Sequence, residues 1–143
     1  MAVADREQPV NIEAVIEAPR WARREGKTLV QHLLGREPDM LRSYARLSER
    51  RSDLILGYPW TQTEQLSIDL PPGYRLSDVP RAVDIRSPFG YFTTQIKGVP
   101  GGVEVEATMT ILRYRIATAD YAAFRSFCQQ IDTEVGRELR FSP

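Results

Sequence analysis

The sequence has few of the residues from which catalytic and metal sites are usually built. It contains one cysteine, Cys128, and one histidine, His32. A single cysteine excludes an internal disulfide, so the fold must rest on packing. One His and one Cys cannot complete a zinc site without carboxylates, and the sequence has no acidic cluster with ligand spacing. We therefore expect no metal site and no bound cofactor.

The same scarcity limits nucleophilic catalysis. A thiol nucleophile needs a base within hydrogen-bond reach, and Cys128 and His32 are the only candidates. Cys128 lies at helical spacing between Phe124 and Ile131, where a cysteine packs as a small hydrophobic residue and burial raises its pKa. The glycine-rich segment 98–102 lacks the Lys-Ser/Thr of a phosphate-binding loop. We expect no catalytic residues and predict that the chain is not an enzyme in its own right.

Excess charge and long hydrophobic runs are also absent. Lys plus Arg and Asp plus Glu number 19 each, which gives no bias toward nucleic acid or an anionic membrane. No run approaches the 18 or so apolar residues of a membrane helix, so we expect neither nucleic-acid binding nor membrane insertion. The local basic groups are interpreted as solvated faces; they are Arg20, Arg23, Arg24 and Arg42, Arg46, Arg50, Arg51.

The 143 residues, 42% of them hydrophobic, are enough for one domain with a sizeable core. We expect residues 1–9 to be a flexible start or an artificial beginning of the chain, and residues 10–143 to form a single domain. Alternation of apolar and polar residues predicts strands at 10–17, 28–34, 52–57, 65–70, 82–86, 90–97, 102–116 and 137–141. The segment 20–27 is interpreted as a basic turn, and Pro71, Pro72 and Gly73 are expected to end the strand before them.

Two segments have helical periodicity instead. Residues 39–48 predict a short amphipathic helix, and residues 119–135 predict a longer one with an aromatic and aliphatic stripe. Thr118 is expected to cap its N-terminus and Gly136 to end it. The resulting fold prediction is mainly β: an antiparallel β-sandwich of about seven or eight strands with the C-terminal helix packed on an end or edge.

Aromatic residues are the remaining candidates for function, because they cluster around predicted loops and strand ends. They could plug the ends of the sandwich, form a docking surface for a protein, or stack on sugars. The possible interaction surface consists of Trp21, Tyr58, Trp60, Tyr74, Phe89 and Tyr91.

The sequence resembles a known family, and the features specific to that family begin at about Arg51. The matching features are Arg51; the strand exit Leu70, Pro71, Gly73, Tyr74; Pro80; the strand entry Ser87, Phe89, Gly90, Tyr91; and the helix residues Tyr121 and Phe124. The chain is similar to the C-terminal domain of unknown function that follows a transglutaminase-like domain in large bacterial proteins. The resemblance covers about residues 10–141.

The resemblance implies an accessory β-sandwich. The papain-like Cys-His-Asp machinery of such proteins belongs to the preceding domain, so no catalytic residue carries over to this chain. The implied partner is that neighbouring transglutaminase-like domain of the same polypeptide, and the implied location is exported, periplasmic or associated with the cell envelope. The alternative is an independent glycan- or peptide-binding module that uses the loop aromatics or a sheet edge.

Overall fold

A computed structural model describes residues 14, 15, 18 and 20–143. In this part of the chain, ten strands form antiparallel sheets, and a short helix and a longer C-terminal helix accompany them. The elements are β1 (Arg23–Glu25), β2 (Thr28–His32), α1 (Met40–Tyr44), β3 (Leu54–Ile55), β4 (Trp60–Asp69), β5 (Arg75–Leu76), β6 (Val83–Ser87), β7 (Gly90–Val99), β8 (Gly102–Ile111), β9 (Arg115–Ile116), a 3-10 turn (Thr118–Asp120), α2 (Tyr121–Val135) and β10 (Glu138–Ser142).

The largest sheet has the order β4-β8-β7-β6. β8 pairs over its whole length with β4 on one side and β7 on the other. Its alternate residues from Val103 to Ile111 are buried, whereas Glu104 and Glu106 are exposed on the opposite face. This is the arrangement that period-two alternation predicts for a sheet with one solvated face.

A second sheet has the order β1-β2-β10-β5, and β3 pairs with β9 in a two-stranded ribbon. On one face of the second sheet, Arg23 and Arg140 each bridge to both Glu25 and Glu138 at 2.6–3.0 Å. Arg23 and Arg140 lie opposite Val30 in the register, and Val30 is buried. The stems of the two arginines can therefore shield an apolar residue on a face that otherwise contacts solvent.

Helix α2 supplies one side of the core. Its buried side chains are Tyr121, Phe124, Phe127, Cys128, Ile131 and Val135. Phe124 meets Phe89 edge-on with ring centroids 5.5 Å apart, a favoured geometry for aromatic pairs. These residues belong to one cluster with Phe92 and Val105 of the β4-β8-β7-β6 sheet and with Leu139 of the second sheet. The prediction of a mainly β fold with one C-terminal helix is confirmed.

The predicted strand 102–116 is in fact two strands. β8 ends at Ile111, and the chain resumes pairing only at β9. Continued alternation would have turned Arg113 and Arg115 toward the core, and a buried guanidinium without a partner is costly. The strand therefore ends where the core-facing positions become charged.

Other boundaries also differ from the predictions. The segment 20–27, predicted to be a basic turn, contains β1, which pairs with β2 across a turn. The loop after Pro71-Pro72-Gly73 contains β5, which pairs with β10, a strand distant in sequence. Thr118 was predicted as the N-cap of the helix, which is wrong. It begins the 3-10 turn, and its N–H and hydroxyl donate to Asp53 rather than capping α2.

Several smaller predictions are confirmed. Gly136 follows the last residue of α2 and its N–H donates to the Asp132 carbonyl. Gly73 has φ +87°, in the left-handed region, in the turn that the Tyr74 N–H closes by donating to the Pro71 carbonyl at 3.0 Å. The predicted strand at 10–17 lies almost wholly outside the described residues.

A substitution at Gly90 tests how closely the backbones of β7 and β8 approach each other. A Cβ at Gly90 would collide with the backbone carbonyl oxygen of Thr110, whereas a Cβ at Gly98 on the same strand would meet nothing within 4 Å. We predict that Gly90→Ala lowers the free energy of unfolding by about 1–3 kcal/mol and that Gly98→Ala changes it by less than about 0.5 kcal/mol. Urea unfolding of both variants measures this. If Gly90→Ala changes the free energy of unfolding as little as Gly98→Ala does, β8 can move aside without cost.

Candidate interaction surface

Cys128 lies in the core rather than in a cleft. It is fully buried on α2, and burial, with a smaller contribution from the Asp132 carboxylate, raises its pKa to about 12. A thiol with this pKa is protonated at neutral pH and is a poor nucleophile. His32 is half-buried on β2, and its Nδ1 lies 3.4 Å from the Gly136 carbonyl oxygen. Over the described residues, no three His, Cys, Asp or Glu side chains come together in a way that could hold a metal ion.

The structure places the six aromatic residues of the predicted interaction surface in different environments. Phe89 is 4% exposed and belongs to the core. Tyr74 and Trp60 are half-buried and pack against the same core, with the Trp60 ring 6.1 Å from that of Tyr44. Tyr58 is the most exposed of the set, at 71%.

The other two aromatic residues lie elsewhere. Trp21 covers Gly35, where a Cβ would approach the indole ring to 3.0 Å. Tyr91 lies on the solvent face of β7, with the Arg86 guanidinium carbon 5.2 Å from its ring centroid. The six residues thus do not converge on one patch, and five of them contact other residues of the fold.

Exposed apolar side chains converge on a place that the aromatic pattern did not single out. Leu112 and Tyr114 are about half exposed on the segment between β8 and β9. Ile55 on β3 is 59% exposed, and the neighbouring Leu56 N–H donates to the Tyr114 carbonyl at 2.6 Å. Tyr58 follows in the loop that leads to β4. Two adjacent segments therefore present four large apolar side chains to solvent at one end of the molecule.

The segment after α1 adjoins this end through α2. The Leu47 carbonyl accepts hydrogen bonds from the Tyr121 hydroxyl at 2.7 Å and from Arg125 Nε at 3.2 Å. The Leu47 side chain itself is half exposed. Arg50 places its guanidinium carbon 5.7 Å from the Tyr121 ring centroid, and that of Arg113 lies 6.0 Å from the Phe89 ring centroid. We call this region the arginine-rich end and define it by Leu47, Arg50, Leu112, Arg113, Tyr114 and Arg125.

Asp53 fixes the position of the segments beside the arginine-rich end. Its carboxylate bridges Arg115 at 2.6 Å and accepts from the N–H and the hydroxyl of Thr118 at 3.0 and 3.1 Å. The hydrogen bond from Arg115 lowers the pKa of the Asp53 carboxyl below its ordinary value, and the hydrogen bonds from Thr118 make smaller contributions in the same direction. The carboxylate thus joins the start of β3 to β9 and to the turn before α2.

A concave region lies on the solvent face of the β4-β8-β7-β6 sheet. It is a groove of about 380 Å³. Its polar side chains come from β4, β8 and β7, and Gln65 Nε2 donates to Glu106 at 2.9 Å within it. The polar lining consists of Gln65, Ser67, Gln95, Lys97, Glu104 and Glu106.

The sequence matches one protein family, DUF3858, described as a domain of unknown function with a solved structure, over residues 30–141. The chain belongs to the DUF3858 family. No curated protein matches the chain significantly. Among solved structures, the DUF3858 domain is similar to a "putative protease" from Parabacteroides distasonis, with 23% identity over 68% of this chain and a TM-score of 0.59. The match spans 19% of that protein's length. The likeness shows that the two share a fold.

The residues that carry the family resemblance have mainly structural roles in this DUF3858 domain. The Ser87 hydroxyl accepts from the Phe89 N–H at 3.1 Å and shapes the turn between β6 and β7. Gly90 allows the close approach of β8, and Phe124 fills the core. Tyr121 differs from these because it contacts the arginine-rich end. Its hydroxyl donates to the Leu47 carbonyl, and its ring lies beneath the Arg50 guanidinium.

We predict a specific pH dependence for Asp53→Asn. Because the folded-state pKa of Asp53 is lowered, its ionised form stabilises the fold above the ordinary carboxyl pKa of 3.8, and this contribution is lost as pH falls through the folded-state value. The variant should therefore melt below the unmodified chain at pH 7, and the two melting temperatures should converge near pH 2.

Asp84→Asn is the matched control for this experiment. Asp84 is exposed, and its one ion pair among the described residues is with Arg86, two residues away on the same strand. Such surface pairs contribute little. Thermal melts followed by circular dichroism at both pH values measure the effect. A deficit of Asp53→Asn that persists unchanged at pH 2 would show that the charge of Asp53 is not what stabilises the fold.

Proposed function

We propose that this domain is a non-catalytic accessory domain of a longer bacterial polypeptide, in which it packs against a transglutaminase-like domain with a papain-type Cys-His-Asp site. The observation that carries the proposal is the exposed apolar end, where two adjacent backbone segments present Ile55, Tyr58, Leu112 and Tyr114 to solvent. Clustered apolar side chains of this kind mark interaction sites on soluble proteins.

Two further observations support an accessory role. The similar fold in the Parabacteroides distasonis protein is a minor part of a longer chain. The thiol of this domain is buried and protonated at neutral pH, which leaves thiol chemistry to another domain. On this proposal the parent polypeptide is exported and works in the periplasm or at the cell envelope, and this domain stabilises its catalytic neighbour or shapes the substrate cleft.

The test uses the longer polypeptide with and without residues 20–143. We expect deletion to lower the melting temperature of the neighbouring domain by a few degrees, since about 1 kcal/mol of lost contact corresponds to roughly 2–4 °C for a domain of 150–250 residues. Limited proteolysis of the neighbour should accelerate as well. Unchanged melting, proteolysis, activity and substrate range would contradict the proposal, and so would a complete gene that encodes no second domain.

A second candidate function is independent binding of a glycan or a peptide. The polar groove on the solvent face of the β4-β8-β7-β6 sheet favours it, because Gln and Glu side chains arrayed over a concave surface can exchange hydrogen bonds with sugar hydroxyls or a peptide backbone. Tyr91 lies on the same face and offers an aromatic ring for stacking.

A glycan and peptide array, followed by titration calorimetry, tests this second function. Gln65→Ala should weaken binding of any array hit at least about tenfold, equivalent to 1.4 kcal/mol, while Gln130→Ala on the exposed face of α2 should leave it unchanged. An array without hits, or a hit that both variants bind equally well, would reject the groove as a binding site.

A further inference from the structure

The arginines of the arginine-rich end have no carboxylate partner among the described residues. Arg36, Arg115 and Arg140 are each within 3.0 Å of a carboxylate oxygen elsewhere in the fold. Arg50, Arg113 and Arg125 form no ion pair within the part of the chain that the structure describes, although Glu49 and Asp120 lie nearby in sequence. Exposed arginines elsewhere, such as Arg24 and Arg81, share this property, so the arginine-rich end differs from them in the contacts that orient its guanidinium groups beside exposed apolar side chains. The positive charge of this end is therefore available to an outside group.

The scaffold also holds these guanidinium groups in place. Arg50 and Arg113 stack near the Tyr121 and Phe89 rings, and Arg125 donates to the Leu47 carbonyl. Phe89 and Tyr121 are themselves buried and fixed. Because the side chains are oriented before binding, less conformational entropy is lost when they pair with a carboxylate.

The composition of the arginine-rich end favours a protein partner over a phosphate backbone. Arginine, tyrosine and leucine alternate along the exposed segment 112–115, and arginine and aromatic residues are enriched in protein interfaces. A phosphate-reading surface needs a dominant basic charge, whereas this chain has equal numbers of acidic and basic residues. A partner segment whose carboxylates flank apolar side chains would complement both the positive charge and the exposed leucine and tyrosine side chains of this surface.

We infer that the arginine-rich end is a docking surface for an acidic, partly apolar segment of the neighbouring domain in the same polypeptide. The identity of the partner rests on the proposed accessory function. The chemistry of the surface rests on charge complementarity. Three oriented arginines, which have no carboxylate partner in the described part of the chain, surround exposed leucine and tyrosine side chains. Such a surface would bind carboxylates at its rim and apolar groups at its centre.

A defined peptide probe tests the surface chemistry on this chain. The probe is a fluorescein-labelled dodecapeptide of repeating Glu-Glu-Phe-Gly, compared with Lys-Lys-Phe-Gly and Glu-Glu-Ser-Gly repeats, a twelve-nucleotide oligothymidylate and phosphatidylserine vesicles. We expect fluorescence anisotropy to show that the acidic aromatic peptide binds more tightly than the other four probes. Its Kd should increase with salt concentration because the ion pairs are exposed.

Charge reversal locates the binding site. Arg113→Glu should raise the Kd of the acidic peptide at least tenfold, and the milder Arg113→Gln should raise it in the same direction. Arg24→Glu and Arg81→Glu, at exposed arginines elsewhere, should leave it unchanged, with folding of all variants checked by circular dichroism. Equal loss in all variants, no peptide binding, or preference for the oligothymidylate or the vesicles would overturn the inference.

The longer polypeptide separates this inference from the proposed function. If deletion of residues 20–143 destabilises the neighbouring domain but Arg113→Glu does not loosen the contact in limited proteolysis, the accessory function stands and the arginine-rich end is the wrong surface. If deletion has no effect on the neighbour, the proposed function fails and the assignment of the partner fails with it, whatever the peptide measurements show.

Discussion

The packing of α2 into the core is the contact on which the other parts of this domain depend. Phe124 is completely buried and meets Phe89 at the turn between β6 and β7. Asp132 on the same helix accepts hydrogen bonds from the N–H groups of Met40 and Leu41 at 2.8 and 2.9 Å, which anchors the first turn of α1. A single helix thereby positions elements that are far apart in sequence.

The proposed docking surface is a consequence of the same packing. The Tyr121 hydroxyl holds the Leu47 carbonyl, and its ring lies beneath Arg50. Arg113 reaches the arginine-rich end because β8 stops at Ile111, where the next core-facing position is charged. The fold therefore keeps these arginines at its surface and uses buried aromatic rings to orient them.

The sequence predicted the elements whose signal is local. The start of β8 and most of α2 were identified because their periods of two and of three to four residues recur over ten and fifteen residues. The prediction missed the end of β8 at Ile111. β1 and β5 were not predicted, since strands of three and two residues carry no period and exist only through their partners. Thr118 has the chemistry of an N-cap, but Asp53, 65 residues away in sequence, binds it instead.

By itself, the sequence determined the mainly β fold, the C-terminal helix and the core position of Cys128, because each follows from periodicity along one segment. Only the tertiary structure decided which surface residues act together. The aromatic residues at predicted loops were separated, with Phe89 in the core and Tyr91 on a sheet face. Arg50 and Arg113, distant in sequence, came to one end because Tyr121 and Phe89 are neighbours of Phe124 in the folded chain. Proximity of this kind depends on how the sheets and α2 pack, which no local pattern specifies.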